Sequence, residues 1–111
     1  LKKLEINDAR HITDEGMKVL HNFTIIQSLD LYSNNKITNE AMKYLPVSLN
    51  SLNLSFNYRL LTSECILSLP SNLTKLNIDG FNYSKEKSSE ILNKIPLSIK
   101  DLTLNYFDIN N

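Results

Sequence analysis

Three residues among the 111 have side chains suited to nucleophilic or base chemistry near neutral pH: Cys65, His11 and His21. A Cys–His pair requires the imidazole within hydrogen-bond reach of the thiol. The chain repeats roughly every 24 residues, as set out below. Both histidines fall in the first unit and Cys65 in the third. Two units correspond to roughly 10 Å along a stack of strands, beyond that reach. Cys65 aligns with Gly16 and Ala41 near the start of three helical segments. That is a place for a small core residue, and a structural thiol is expected. The histidines are ten residues apart with no acid at ligand spacing, so no metal site is expected. Asp and Glu are scattered singly and form no pair for acid–base work. Acids alternate with bases, so no nucleic-acid groove is expected either. The sequence reads as a non-enzyme with no cofactor and no evident small-molecule substrate.

Composition narrows the classes further. Lys plus Arg is 12 and Asp plus Glu is 12, a formal net charge of zero. Binders of nucleic acid or of anionic membranes carry a basic excess. The longest apolar run is Cys65-Ile66-Leu67, against the ~20 residues that span a bilayer. No charged stretch leads into an apolar one at the start, so no signal peptide is expected. The four Asn-x-Ser/Thr sequons, at Asn22, Asn53, Asn72 and Asn82, follow from the abundance of Asn, Ser and Thr. One cysteine makes no internal disulfide. An intracellular, cytoplasmic setting is expected.

The elements that position these residues recur from end to end. An apolar-x-x-apolar-x-apolar pattern stands at Leu1-Leu4-Ile6, Ile26-Leu29-Leu31, Leu49-Leu52-Leu54, Leu73-Leu76-Ile78 and Ile99-Leu102-Leu104. All fifteen anchors are Leu or Ile, which make up 30 of 111 residues, so chance does not account for the pattern. Alternation such as Leu4-Glu5-Ile6 is that of a strand with one wet face.

A helix-start signature follows each strand in the first four units: Thr13-Asp-Glu15, Thr38-Asn-Glu40, Thr62-Ser-Glu64 and Ser84-Lys-Glu86. The hydroxyl accepts from an otherwise unpaired backbone N–H, and the acid meets the positive end of the helix dipole. Apolar residues then recur at helical spacing. Pro46, Pro70 and Pro96 end three of the segments. These signals predict strands beginning near residues 3, 28, 51, 75 and 101, and helices over about 14–22, 39–45, 63–69 and 85–95.

The run Leu49-Asn-Ser-Leu52-Asn-Leu54-Ser-Phe-Asn57 resembles the leucine-rich-repeat family, and the resemblance covers the whole chain. The first unit, Leu1–Thr24, is similar to the cysteine-containing repeats of F-box substrate adaptors through Ile12-Thr-Asp-Glu-Gly-Met17, with Ala9 and Phe23 at the family's two cysteine positions. Later units carry Leu-Pro-x-Ser-Leu or close relatives at Leu45–Leu49, Leu69–Leu73 and Ile95–Ile99. These are similar to the Pro-containing repeats of some bacterial effectors and of FNIP-type proteins.

The resemblance implies an α/β fold: a right-handed solenoid with five parallel strands on the concave face and four short helices on the convex face. Residues 1–111 would be a single array with repeats starting at 1, 26, 49, 73 and 99, part of a longer protein. Anchors point inward, and neighbouring units share one core. Asn34 and Asn57 are expected to turn their amides inward onto the loop backbone, with Phe81 and Phe107 taking packing roles at the matching positions.

The outward strand positions are Lys3, Glu5, Asn7, Ser28, Asp30, Tyr32, Ser51, Asn53, Ser55, Lys75, Asn77, Asp79, Asp101, Thr103 and Asn105. Phe56 and Tyr106 adjoin them, and seven of the nine aromatics gather at that end of the strands. These residues are the expected contact surface for a protein partner. The function implied is a protein-interaction module. The alternative is the recognition segment of a ubiquitin-ligase adaptor or of a secreted bacterial effector, the latter acting in a host cytoplasm.

Overall fold

A computed structural model describes residues 4–7, 9–57, 63–80 and 92–104. Its strands are β1 (Leu4–Ile6), β2 (Ile26–Asp30), β3 (Ser51–Asn53), β4 (Lys75–Asn77) and β5 (Asp101–Thr103). Between the first four strands lie the α-helix α1 (Asp14–Leu20) and the 3₁₀ helices η1 (Asn39–Tyr44) and η2 (Ser63–Ser68). The strands form one parallel sheet in the order β1-β2-β3-β4-β5. Three of them begin at the expected residues. β2 begins two residues early, at Ile26, and Lys3 lies outside the described residues.

Equivalent residues of successive units sit side by side. Leu29, Leu52, Leu76 and Leu102 pair in register, as do Ser28, Ser51, Lys75 and Asp101. A period-2 pleat then sends the leucines to one face and the polar row to the other. Ile26, Leu29, Leu31, Leu49, Leu52, Leu54, Leu73, Leu76 and Ile78 are buried, together with Met17, Ile37, Met42 and Ile66 from the opposite layer. Each such side chain contributes about 1.5–3 kcal/mol relative to exposure. On β5, which has one strand neighbour among the described residues, Leu102 is 37% exposed instead of buried.

The helical layer departs from expectation. α1 ends at Leu20 instead of about residue 22, while η1 and η2 are six-residue 3₁₀ helices. The first unit spans 25 residues and the next two span 23 and 24. A 3₁₀ helix rises about 2.0 Å per residue against 1.5 Å for an α-helix, so it crosses the layer with fewer residues. Pro46 also bars a helical conformation at Leu45, whose ψ is 135°. Of the helix expected over 85–95, residues 92–94 are helical, and the rest lies outside the described residues.

The Leu-Pro-x-Ser-Leu motif acquires a role at the return to each strand. The carbonyls of Pro46, Pro70 and Pro96 accept hydrogen bonds from the N–H of Leu49, Leu73 and Ile99, at 3.1, 3.2 and 3.1 Å. Each motif therefore closes a four-residue turn. Ser48 Oγ donates to the Ile26 carbonyl at the start of the same unit, tying the return turn to the strand that opened the unit.

Candidate functional site

The strands are short, so the backbone beyond them decides how the concave face is finished. The inter-unit ladder continues past the last strand residue. Leu31 N–H donates to Asn53 O, Leu54 to Asn77 O and Ile78 to Thr103 O, at 2.7–2.9 Å. Two positions further on, the chain enters the left-handed region in each of three units, at Ser33 (φ 51°), Phe56 (φ 60°) and Gly80 (φ 72°). Glycine meets that conformation without the Cβ penalty that serine and phenylalanine bear.

The side chains before this bend are committed to it. Asp30 Oδ1 accepts from Tyr32 N–H, Asn53 Oδ1 from Ser55 N–H, and Asn77 Oδ1 from Asp79 N–H, each at 2.9 Å. These are three copies of an Asx turn. Because each asparagine oxygen faces a backbone donor, its Nδ2 remains as the donor for other partners. The resulting row runs Asp30, Asn53, Asn77 in register.

Ser28, Asp30, Ser51, Asn53 and Lys75 are accompanied by Asn7 and Asn77 around a trough of about 260 Å³. Glu5 and Asp101 lie on the same face and are exposed, and Thr103 is half-buried. Tyr32 and Phe56 are 43% and 40% exposed and pack edge-to-face, with ring centroids 5.6 Å apart. The Phe56 ring lies so close over Gly80 that a Cβ there would come within 2.5 Å of it. Ser55, expected to face outward, is instead buried at 3% exposure. Its hydroxyl donates to Asn53 Oδ1 at 2.6 Å, which folds this short side chain into its own turn. Lys3, Asn105 and Tyr106 lie outside the described residues, as do Phe81 and Phe107.

Below the bend, Asn34 and Asn57 turn inward as expected. Asn34 Nδ2 donates to Ala9 O and Ile12 O at 2.9 and 2.8 Å, and its Oδ1 accepts from Lys36 and Ile37 N–H at 2.7 and 3.0 Å. Asn57 Nδ2 donates to Leu31 O and Leu54 O at 2.8 and 2.9 Å. Each amide therefore bonds the preceding unit as well as its own loop, and holds the outer rim in place.

The helical face carries a larger hollow, about 440 Å³, lined by Thr38, Asn39, Glu40, Lys43, Glu64 and Ser68. Its cation is already engaged: Lys43 Nζ lies 2.7 Å from Glu40. That hydrogen bond and the carboxylate charge raise the Lys43 pKa, as Glu15 raises that of Lys18. Cys65 is fully buried, and desolvation pushes its thiol up to about 12, far from a nucleophile's range. Among the described residues, no group of three or more His, Cys, Asp or Glu is placed to hold a metal. No described helix is long and apolar enough to cross a membrane.

The Asx row was within reach of sequence reasoning and was missed. Asp30, Asn53 and Asn77 share one offset in their units, and an Asp or Asn whose side chain can bond the backbone two residues on is a turn signal. The left-handed position had only Gly80 to mark it.

Comparison with known proteins agrees with this geometry. Residues 1–20 match a family model described as a leucine-rich repeat. The structure is similar to that of the leucine-rich repeat-containing protein LegL7 from Legionella pneumophila, with a TM-score of 0.69 and 22% sequence identity. The match covers 96% of this chain and 39% of that one. No curated protein matches the sequence. The in-register leucine anchors, the inward asparagines and the shared architecture give this chain the fold of a leucine-rich-repeat solenoid.

Proposed function

We propose that the concave strand face is a docking surface for a protein partner and that the chain acts as an interaction module, not as an enzyme. The observation carrying this reading is the row of short polar side chains held by backbone hydrogen bonds, beside the exposed Tyr32–Phe56 pair. Side chains already fixed lose little entropy on binding, and aromatics supply contact area with few rotors. On the helical face, Lys18 and Lys43 are long, exposed and paired with Glu15 and Glu40. Ordering such chains costs more.

The test uses a purified partner and two pairs of substitutions. Tyr32→Ala with Asp30→Ala alters the concave face beside the trough. It should weaken binding by ~1 kcal/mol or more, the scale of an interface contact that matters. Lys18→Ala with Lys43→Ala should change affinity little. Loss of binding in the helix-face pair alone would overturn the assignment.

A further inference from the structure

Among the described residues, the charges of the concave face are mostly acidic. Its described charges are Glu5, Asp30, Asp79 and Asp101 against Lys75 alone. Lys75 stands opposite Asp101 in register. Asp30 has no ion-pair partner among the described residues. Its carboxylate is anchored 2.9 Å from the backbone nitrogen of Tyr32, at the root of the exposed aromatic pair. One oxygen accepts that N–H, and the carboxylate keeps lone pairs for further donors. The Phe56 ring, laid across Gly80, supports the Tyr32 ring from the far side.

Resting on the docking role proposed for this face, we infer that Asp30, Tyr32 and Phe56 form a seat for an arginine side chain of the partner. Charge complementarity selects a cation. The neighbouring rings favour the planar guanidinium, which stacks on an aromatic while its fork meets a carboxylate; an ammonium does this less well. The amides of Asn53 and Asn77 continue from Asp30 at roughly 5 Å intervals. They donate to backbone carbonyls of an extended segment crossing the strands. The occupant is therefore an extended peptide segment anchored by arginine.

The unit-to-unit exchange of residues supplies variants that keep the turn. Asn53 and Asn77 show that asparagine closes this Asx turn, and Asp30 shows that aspartate does. Asp30→Asn thus removes the charge, and Asn53→Asp or Asn77→Asp removes an amide donor, with the bend retained. A random-peptide library displayed on phage is panned against the whole chain, and selected peptides are measured against each variant. The expected result is enrichment of arginine-bearing peptides whose affinity falls about tenfold or more with Asp30→Asn, the scale of a charge-assisted pair. Replacing the peptide arginine by lysine should cost several-fold. Peptides weakened by Asn53→Asp and Asn77→Asp but indifferent to Asp30→Asn would overturn the arginine seat and leave the concave surface standing. Peptides weakened only by Lys18→Ala with Lys43→Ala would overturn both. Failure to enrich any peptide would overturn the extended-segment occupant.

Discussion

The strand side and the helical side of this chain are built from the same repeats but held by different means. On the strand side, equivalent residues make equivalent bonds in unit after unit: leucine against leucine, and one Asx turn above another. On the helical side, the segment is an α-helix in the first unit and a 3₁₀ helix in the second and third. One inter-unit clamp there is explicit. Asp14 accepts from both the N–H and the hydroxyl of Thr38, at 2.9 and 2.7 Å. A stacked sheet requires each unit to match its neighbours, because every strand bonds across to the next. A helical layer needs only to cover the core, so its backbone is free to vary with repeat length. Perturbations should therefore cost most on the sheet side and least on the helical side.

The largest effect is expected at Leu52. It is 1% exposed and lies between Leu29 and Leu76 in register. Leu52→Ala removes atoms shared by three units and should destabilise the fold by ~2–5 kcal/mol. Chemical denaturation gives the value. A loss under about half a kcal/mol, as at an ordinary surface site, would mean the core is not shared between units.

Asn34→Ala should come next. Its amide serves two carbonyls and two N–H groups across two units. Each buried group left unpaired costs ~1–3 kcal/mol, and these are not additive. A total of ~2–3 kcal/mol is expected from the same denaturation series. A value near zero would show that the turn is held by its backbone ladder alone.

These two sites also show what the sequence made readable. Leu52 and Asn34 stand in a pattern whose spacing matches the strand period, so burial and role followed from position. Ser55 shared its offset with the exposed Tyr32 but had a side chain short enough to bond Asn53 and turn in. Position alone did not separate the two. The 3₁₀ character of η1 also escaped, although the short second unit and Pro46 both bear on it. Its capping chemistry is the same as that of an α-helix: Thr38 accepts from Glu40 N–H as Thr13 accepts from Gly16 N–H. The partner face was readable as a surface, but the commitment of Asp30, Asn53 and Asn77 to turns became visible only with the backbone placed.

Asp14→Ala tests the clamp between α1 and η1. Asp14 is half-buried, so solvent can replace part of what it gives. The expected loss is ~1–2 kcal/mol, toward the lower end for hydrogen bonds to a charged group. Hydrogen exchange should show the Thr38 amide losing protection while the amides of Leu31 and Leu54 keep theirs. Equal loss at all three would mean that the two sides are one cooperative unit, and the contrast drawn above would fail.

The smallest effect at neutral pH is expected at Cys65. It occupies the position held by Ala41 in the preceding unit, and both are fully buried. Cys65→Ala therefore installs a residue that this layer already accepts and should cost about 1 kcal/mol or less. The pH dependence is more telling. Burial raises the folded thiol to about 12, whereas an unfolded thiol titrates near 8.5. The folded state holds this proton more tightly, so the thiol's contribution is complete below that unfolded value. It is lost as pH rises through the interval toward 12, because only the unfolded chain ionises there. The slope is at most about 1.4 kcal/mol per pH unit. Tyrosines and lysines titrate in the same range, so the measured quantity is the difference between the native chain and Cys65→Ala, by urea denaturation from neutral to moderately alkaline pH. The native chain should lose stability faster than the variant above about pH 8.5. Parallel curves would show that the thiol reaches solvent in the folded state, and that the helical layer is looser over Cys65 than its burial indicates.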